Sequence, residues 1–229
     1  MKKFSFIICT NSELYFDECV RYIEKLHIPE GWDTELIEIN GAASMTSGYN
    51  EGLGAATGDI KIYLHQDVFI VYPWFLYSIK EIFESDPNIG IIGMVGAEKL
   101  SADGVMWHNS EVGNLCGDES VDADDKLPDD INPYDEYRYS IKDGLWDVMV
   151  ADGLLLATSK DIPWREEIFD GWDFYDVSQC LEFRKRSFRN VVPLQKYPWV
   201  MHDDGVLNLK NYDKYRKICM EEYKEFFGF

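Results

Sequence analysis

Basic residues are scarce in this sequence, and their scarcity excludes several classes of partner. Among 229 residues, 22 are Lys or Arg and 42 are Asp or Glu, so the formal net charge at pH 7 is -20. A chain with that charge repels nucleic acid and anionic lipid, and we expect neither as a partner. A small phosphorylated ligand would need positive charge at its site, and a bound divalent cation is an economical source of it.

Paired cysteines and long apolar runs are also missing. The five cysteines are an odd number with no Cys-x-x-Cys spacing, which predicts neither a disulfide framework nor a zinc site. The longest apolar runs, such as residues 4–9 and 89–97, are too short to cross a bilayer, and residues 1–3 lead directly into a strand. We therefore predict a cytoplasmic protein without an integral membrane segment.

The apolar pattern of the first hundred residues predicts strands and helices in alternation. Strands are expected at residues 4–9, 34–39, 59–68 and 89–95, and helices at about 14–26, 44–56 and 74–84, with Ser12 as a helix N-cap. The order β-α-β-α-β favours a parallel sheet. Length and a hydrophobic content of 46% suffice for one domain or two tightly joined halves.

The second half of the chain has a less regular pattern. Residues 118–136 hold nine acids against one basic residue, Lys126, which predicts a solvated surface loop, with a functional lid as the less favoured alternative. Residues 145–158 have a strand-like pattern interrupted at Asp152 and Gly153. Helical spacing is found at residues 174–187 and 208–227, and residues 191–192 are strand-like.

The strand at residues 59–68 delivers a carboxylate, Asp67, to its C-terminal end. In open α/β sheets ligands gather beyond such strand ends, and a carboxylate there can bind Mg²⁺ or Mn²⁺. A turn-capping aspartate is the alternative. The adjacent His65 and Gln66 favour the functional interpretation, because polar groups directly after an apolar strand need partners that a ligand site supplies.

A second carboxylate, Asp176, follows an aromatic-rich loop and falls in the first turn of a predicted helix. The free N–H groups and the dipole of a helix N-terminus are expected to stabilise its ionised form, as a general base requires. The alternative is an ordinary acidic residue of a first helical turn, which is favoured there for the same electrostatic reason. Asp170 and Asp173 compete with Asp176 for either role.

One histidine and one tryptophan complete the set of candidates. His202 follows a strand-like segment and as a neutral imidazole can complete a metal shell, although a structural role is favoured for a lone histidine. Aromatic residues make up 15% of the chain, with seven Trp, and most of them are expected in the core. Trp172 is the one that we predict to stack against a sugar.

Together these motifs resemble those of glycosyltransferase family 2, which has the GT-A fold. The resemblance rests on residues 7–11 (IICTN), 47–52 (SGYNEG), 56–59 (ATGD), 65–68 (HQDV), 151–153 (ADG) and 169–181 (FDGWDFYDVSQCL), and on His202 with Gly205. The His-Gln-Asp motif is similar to that of the streptomycin-biosynthesis-like branch, where it replaces the usual Asp-x-Asp. The segment around Asp152 resembles the acceptor-side Val-Asp-Gly motif, and the segment around Asp176 resembles the family's Glu-Asp catalytic segment.

The resemblance implies a fold and a reaction. The fold would be α/β, with a Rossmann-like nucleotide-sugar-binding half (residues 1–100) and an acceptor and catalytic half (residues 101–229) fused around one mixed, mostly parallel sheet. The reaction would be inverting transfer of a sugar from a nucleoside-diphosphate donor to a hydroxyl acceptor, in glycan or polysaccharide biosynthesis. A homo-oligomer is compatible with this family resemblance.

The resemblance also implies roles for individual residues. Asp176 would be the catalytic base, and Asp67 with His202 would bind Mn²⁺ or Mg²⁺. The residues implied at the nucleotide are Thr10, Asn11, Asn40, Ser47, Asn50 and Gln66, and those implied at the donor sugar or the acceptor are Asp152, Trp172 and Asp173.

Three positions depart from the family pattern. His65 stands at the first Asp of the metal motif, Tyr175 at the Glu before the catalytic Asp, and Ser178 where a second Asp is common. These departures leave open a second function, that of a nucleotide-sugar or glycan-binding protein without turnover. A nucleotidyltransferase ranks third, because the sequence has no Gly-rich, Lys-containing loop to hold a triphosphate.

Overall fold

The computed structural model describes residues 1–108, 111–117, 137–203 and 208–227. The acidic segment that we predict as a surface loop, residues 118–136, lies outside the described residues. Within the described ranges, no helix is both long and apolar enough to cross a membrane.

The first half has the predicted order of strands and helices. Its elements are β1 (Lys2–Thr10), α1 (Glu13–Ile23), β2 (Trp32–Asn40), α2 (Met45–Ala55) and β3 (Ile60–His65). Strand β1 pairs in parallel with both β2 and β3. Ser12 occupies the N-cap position of α1, as expected, but its side chain makes no capping hydrogen bond, whereas Ser44 caps α2 through a reciprocal capping box with Ser47.

The remaining elements are shorter and more numerous. They are β4 (Val68–Ile70), α3 (Phe75–Ser85), β5 (Ile89–Gly93), β6 (Val95–Ala97), β7 (Glu111–Gly113), β8 (Cys116–Gly117), β9 (Leu145–Val148), β10 (Val150–Ala151), β11 (Leu155–Thr158), α4 (Tyr175–Lys185), β12 (Arg189–Pro193), β13 (Val200–His202) and α5 (Tyr212–Glu222). Several sequence predictions were too long: residues 59–68 and residues 89–95 each extend over parts of two strands, residues 145–158 form three strands, and the last helix begins at Tyr212. Each break within a predicted strand lies where the chain moves from one sheet to another.

One sheet of seven strands joins both halves of the chain. Its order is β2-β1-β3-β11-β5-β12-β9. Strand β11 runs antiparallel between β3 and β5, and β9 runs antiparallel to β12 at the edge, so five of the seven strands point the same way. The mixed, mostly parallel sheet of the sequence prediction is confirmed.

Two apolar layers cover the two faces of this sheet. Side chains of β1 alternate between them, with Phe4, Phe6 and Ile8 in one cluster and Ile7 in the other. The first cluster includes α3 residues such as Phe75 and Ile79, and the second includes α4 residues such as Cys180 and Leu181. With helices packed against both faces, the polar ends of β1 and β3 are left at one edge of the sheet, where ligands bind in such folds.

Candidate active site

Three polar residues lie where the chain leaves the main sheet, at the end of β3 and in the turn after it. His65 is the last residue of β3, and Gln66 and Asp67 connect it to β4 in a separate small sheet, whose order is β4-β13-β8. Strand β13 runs antiparallel to β4 with His202 opposite Val68, and the Asp203 N–H donates to the Asp67 carbonyl oxygen at 3.0 Å. This pairing brings His202 to Asp67 from a distant part of the chain.

His65, Asp67 and His202 form a candidate metal centre. One ligand atom from each residue lies within 4.8 Å of the other two. Oδ1 of Asp67 is 3.6 Å from Nε2 of His202 and 3.9 Å from Nδ1 of His65. This oxygen is buried and has no hydrogen-bond partner within the described part of the chain. A buried acceptor without a donor, facing two imidazoles, fits a cation.

The electrostatics of this cluster also suit a cation. Burial raises the pKa of Asp67, but the electrostatic interaction of its carboxylate with the imidazoles of His202 and His65 outweighs burial, so the pKa lies below its ordinary value. Burial lowers the pKa of His65 and favours the neutral ring that a metal ligand needs. The two-imidazole, one-carboxylate set suits Mn²⁺ better than Mg²⁺, which prefers oxygen ligands alone. The sequence analysis named Asp67 and His202 as metal ligands and His65 only as a departure from the metal motif, yet His65 lies among the candidate ligands.

Gln66 ties the end of β3 to the end of β1. Its side-chain oxygen accepts from the N–H groups of Asn11 and Ser12, both at 3.0 Å, and its Nε2 donates to Oδ1 of Asn11 at 2.6 Å. These three bonds fix the loop between β1 and α1 beside Asp67.

Asp176 lies in the first turn of α4, where its carboxylate accepts two backbone hydrogen bonds. Oδ2 accepts from the Gly153 N–H at 2.9 Å and Oδ1 from the Val177 N–H at 2.8 Å. The expectation that the helix N-terminus keeps its pKa low was wrong, because burial and the neighbouring Asp152 raise the pKa to about 7. A carboxylate with that pKa suits proton transfer near neutral pH.

Two cavities meet at this edge of the sheet. The first pocket, of about 160 Å³, is lined by Thr10, Asn11, His65, Gln66, Asp67 and Trp172, together with Cys9 and Met45. The second pocket, also of about 160 Å³, contains three carboxylates, Asp152, Asp173 and Asp176, and aromatic walls that include Trp107, Trp172 and Tyr212. Trp172 is 52% exposed and lines both. A larger cavity of about 450 Å³, around Trp146 and Lys196, has no candidate site residue in its lining.

Three of the residues implied at the nucleotide do not line either pocket. The amide of Asn50 donates to the Trp164 carbonyl at 3.0 Å and accepts from the Trp164 N–H at 2.8 Å. The Ser47 hydroxyl is engaged with Ser44 in the capping box of α2. Asn40 is exposed at the end of β2, opposite Thr10 in the register.

Among the competitors of Asp176, the structure separates Asp170 from Asp173. Asp170 is 72% exposed at its side chain, accepts from the Tyr215 hydroxyl at 2.7 Å and lines neither pocket. Asp173 lines the second pocket, and burial raises its pKa. Asp176 is the carboxylate beside Tyr175, whose hydroxyl reaches the candidate metal centre through His65.

Comparisons with known proteins identify the family of this chain and its fold. Residues 5–223 match the model of a family described as "Glycosyltransferase like family". No curated protein matches the sequence.

Solved structures with a similar fold include S. aureus TarS and two glycosyltransferases. S. aureus TarS has a TM-score of 0.55 at 14% identity, over 96% of this chain and 39% of that chain. Drosophila beta-1,4-galactosyltransferase 7, with manganese, UDP-Gal and xylobiose, has a TM-score of 0.53 at 12% identity, over 91% of this chain and 72% of that chain. The mannosyltransferase PcManGT from Pyrobaculum calidifontis, with GDP-Man and Mn²⁺, has a TM-score of 0.51 at 12% identity, over 98% of this chain and 62% of that chain. The fold is GT-A, and this chain spans about two fifths of the TarS chain.

Proposed function

This chain belongs to the glycosyltransferase-like family, and from that premise we propose that it moves a sugar from a nucleoside-diphosphate donor to a hydroxyl acceptor. The observation that carries the proposal is the junction of the two pockets at Trp172, with the candidate metal centre on one side and Asp176 on the other. Sugar transfer needs such a junction, because the leaving diphosphate and the attacking hydroxyl act on the same anomeric carbon.

We assign the cation to His65, Asp67 and His202, with Mn²⁺ favoured over Mg²⁺ by the donor set. When bound, the cation would neutralise negative charge on the departing diphosphate. The galactosyltransferase and mannosyltransferase structures, which hold manganese beside a nucleotide sugar, support this assignment.

Asp176 takes the proton in this proposal. As the acceptor oxygen attacks the anomeric carbon, a carbon–oxygen bond forms, the bond from that carbon to the diphosphate breaks, and the hydroxyl proton passes to the Asp176 carboxylate. Attack from the face opposite the diphosphate inverts the configuration. A pKa of about 7 leaves much of the carboxylate ionised at neutral pH while keeping it basic enough to accept the proton.

The pockets divide the substrates between them. The nucleotide occupies the first pocket, against Thr10, Asn11 and Gln66. The acceptor enters the second pocket, where Asp152 and Asp173 orient its hydroxyl groups or those of the donor sugar, and the exposed face of Trp172 stacks on a sugar ring. Ser47 and Asn50 act indirectly on the first pocket: Ser47 stabilises the start of α2, and Asn50 binds the backbone of Trp164.

Several finer assignments complete the proposal. Residues 1–100 provide the nucleotide-sugar half and residues 101–229 the acceptor half. The His65-Gln66-Asp67 motif supports membership of the streptomycin-biosynthesis-like branch. Glycan or polysaccharide biosynthesis is the proposed pathway class, and cytoplasmic location and homo-oligomerisation stay predictions from the sequence.

A transfer assay tests the proposal. The protein is mixed with Mn²⁺, sugars linked to UDP, GDP or dTDP, and a panel of saccharide acceptors, and products are identified by mass spectrometry. We expect product from one donor class, and loss of about 10²- to 10⁴-fold in kcat for Asp176→Asn with donor affinity retained. Asp170→Asn is the matched control, because Asp170 lies in the same segment but outside both pockets, and it should keep full activity.

A nucleotide-sugar or glycan-binding protein without turnover is the second candidate. It is favoured by Tyr175, which stands where the resembled family carries Glu and whose hydroxyl is engaged by His65. In the same assay this candidate predicts donor binding by calorimetry without product from any acceptor, and no effect of Asp176→Asn on turnover.

A further inference from the structure

Tyr175 connects the two pockets through a single hydrogen bond. It is the first residue of α4, directly before Asp176, and its hydroxyl oxygen lies 2.5 Å from Nε2 of His65. His65 belongs to the candidate metal centre and Asp176 to the second pocket. The phenol therefore touches a candidate cation ligand from the helix that carries the proposed base.

The surroundings of Tyr175 hold the phenol in this one position. Its side chain is buried, and its ring packs against Tyr49 and Trp164, each with a centroid separation of 6.0 Å. A Cβ atom at Gly153 would overlap the phenol oxygen and lie 2.5 Å from Cζ, so only glycine leaves room for the hydroxyl. A phenol enclosed on these sides presents its oxygen to His65.

The bond to Tyr175 determines which nitrogen of His65 remains for a cation. Nε2 is taken by the phenol, and Nδ1 is the nitrogen that faces Oδ1 of Asp67, at 3.9 Å. Nδ1 can offer its lone pair only when the ring proton is on Nε2, where the phenol oxygen can accept it.

We propose that Tyr175 is a positioning residue for the cation site: its hydroxyl oxygen accepts from Nε2–H of His65 and so directs the Nδ1 lone pair at the cation. The inference rests on the metal centre of the proposed function. Hydrogen bonds of this kind typically contribute 10- to 100-fold to metal affinity, because they fix both the orientation and the tautomer of the ligating ring.

The test compares two tyrosines of the same aromatic cluster by calorimetric titration with Mn²⁺ alone. Tyr175→Phe keeps the ring and removes the hydroxyl, and we expect it to weaken Mn²⁺ binding by about 10- to 100-fold. Tyr49→Phe is the matched control, because the Tyr49 hydroxyl is buried without a hydrogen-bond partner among the described residues, and its removal should leave the affinity unchanged.

Nitrogen NMR of His65 in the metal-free protein gives a second measurement. The ring-nitrogen shifts of His65 would not change if Tyr175 had only a structural role. We expect a single His65 tautomer in the wild type and in Tyr49→Phe, and averaged or altered ring-nitrogen shifts in Tyr175→Phe. Thermal unfolding checks that each variant is folded. Should Tyr175→Phe not fold, both measurements are made on Gly153→Ala, whose methyl group displaces the same hydroxyl.

The outcomes separate this inference from the proposed function. Equal Mn²⁺ affinity in wild type and Tyr175→Phe, or identical His65 shifts, would overturn the role of Tyr175 and leave the metal centre standing. A wild-type protein that binds no Mn²⁺ would overturn the metal centre itself, and with it the role of Tyr175 in cation binding.

Discussion

At the scale of single residues, the two most informative departures from the family pattern contact each other. His65 and Tyr175 each stand where the resembled family carries an acid, and the sequence alone indicated a weakened site. In the structure the two side chains share a hydrogen bond across 110 positions of the chain. No local pattern pairs residues so far apart, which explains why the sequence analysis treated them as separate departures from the family pattern.

The pKa of Asp176 gives a prediction for the pH dependence of catalysis. Burial and Asp152 raise this pKa to about 7, and a general base acts only when ionised. We therefore expect kcat/KM to rise with pH through about 7 and to level off above it. A pH–rate profile of the wild type checks this, and a profile that is already flat from pH 5 to 8 would contradict Asp176 as the base.

The raised pKa of Asp176 also makes the free energy of unfolding depend on pH. Because the folded-state pKa of Asp176 lies above its unfolded value, this carboxyl stabilises the fold most below pH 4. The stabilisation is lost as the pH rises toward and through about 7. Asp176→Asn should remove this contribution, so the difference in unfolding free energy between variant and wild type should move in favour of the variant from pH 4 to 8. Urea unfolding of both proteins at several pH values measures it.

At the scale of elements, the site depends on connections between strand ends. The turn after β3 sends the chain into a separate sheet, where β13 returns antiparallel to β4 and supplies His202. Gln66 joins this turn to the loop after β1. The periodicity of the sequence predicts the strands, but a strand pairing between residues 68–70 and 200–202 depends on tertiary packing, which that periodicity does not encode.

Gln66 should act through the loop that it holds. Gln66→Ala removes three hydrogen bonds to Asn11 and Ser12, so we expect nucleoside-diphosphate affinity to fall by about tenfold and the free energy of unfolding by about 1–3 kcal/mol. Gln66→Glu keeps the acceptor for both N–H groups and should lose less. Calorimetry and urea unfolding measure both effects, and wild-type nucleotide affinity in Gln66→Ala would contradict this role.

Asn50 should support stability and leave nucleotide binding intact. Its side chain makes two hydrogen bonds with the backbone of Trp164, so Asn50→Ala should lower the free energy of unfolding by about 1–3 kcal/mol. Asn40→Ala, at an exposed position, should leave stability nearly unchanged. Should Asn50→Ala instead lose nucleotide affinity at unchanged stability, the direct contact implied by the sequence resemblance would be restored.

At the scale of the whole molecule, fold class was the most predictable property. The alternation of strands and helices predicts the β2-β1-β3 core, and the resemblance implies a mixed sheet around it. The insertion of β11 between β3 and β5 was not predictable, because the strand comes from residues 155–158 and pairs with partners far away in the sequence. Local motifs predicted Asp67, Asp176 and Trp172 as site residues, and each lines one or both pockets, whereas the pKa of Asp176 depends on burial that only tertiary structure provides.

The net charge of the whole molecule opposes the binding of an anionic donor. A chain with a charge of -20 repels a diphosphate, so the proposed donor needs local positive charge at the first pocket. Among the described residues that line this pocket, none is Lys or Arg, and a cation at Asp67 would meet that need.

The most direct test is a calorimetric titration with UDP, GDP and dTDP, each with and without Mn²⁺, in wild type and in Asp67→Ala. We expect one nucleoside diphosphate to bind the wild type in the presence of Mn²⁺, to bind at least about tenfold more weakly without it, and to lose the Mn²⁺ dependence in Asp67→Ala. A nucleotide affinity that changes neither with Mn²⁺ nor with Asp67→Ala, or no binding of any nucleotide, would contradict a metal-dependent nucleotide-sugar site in this protein.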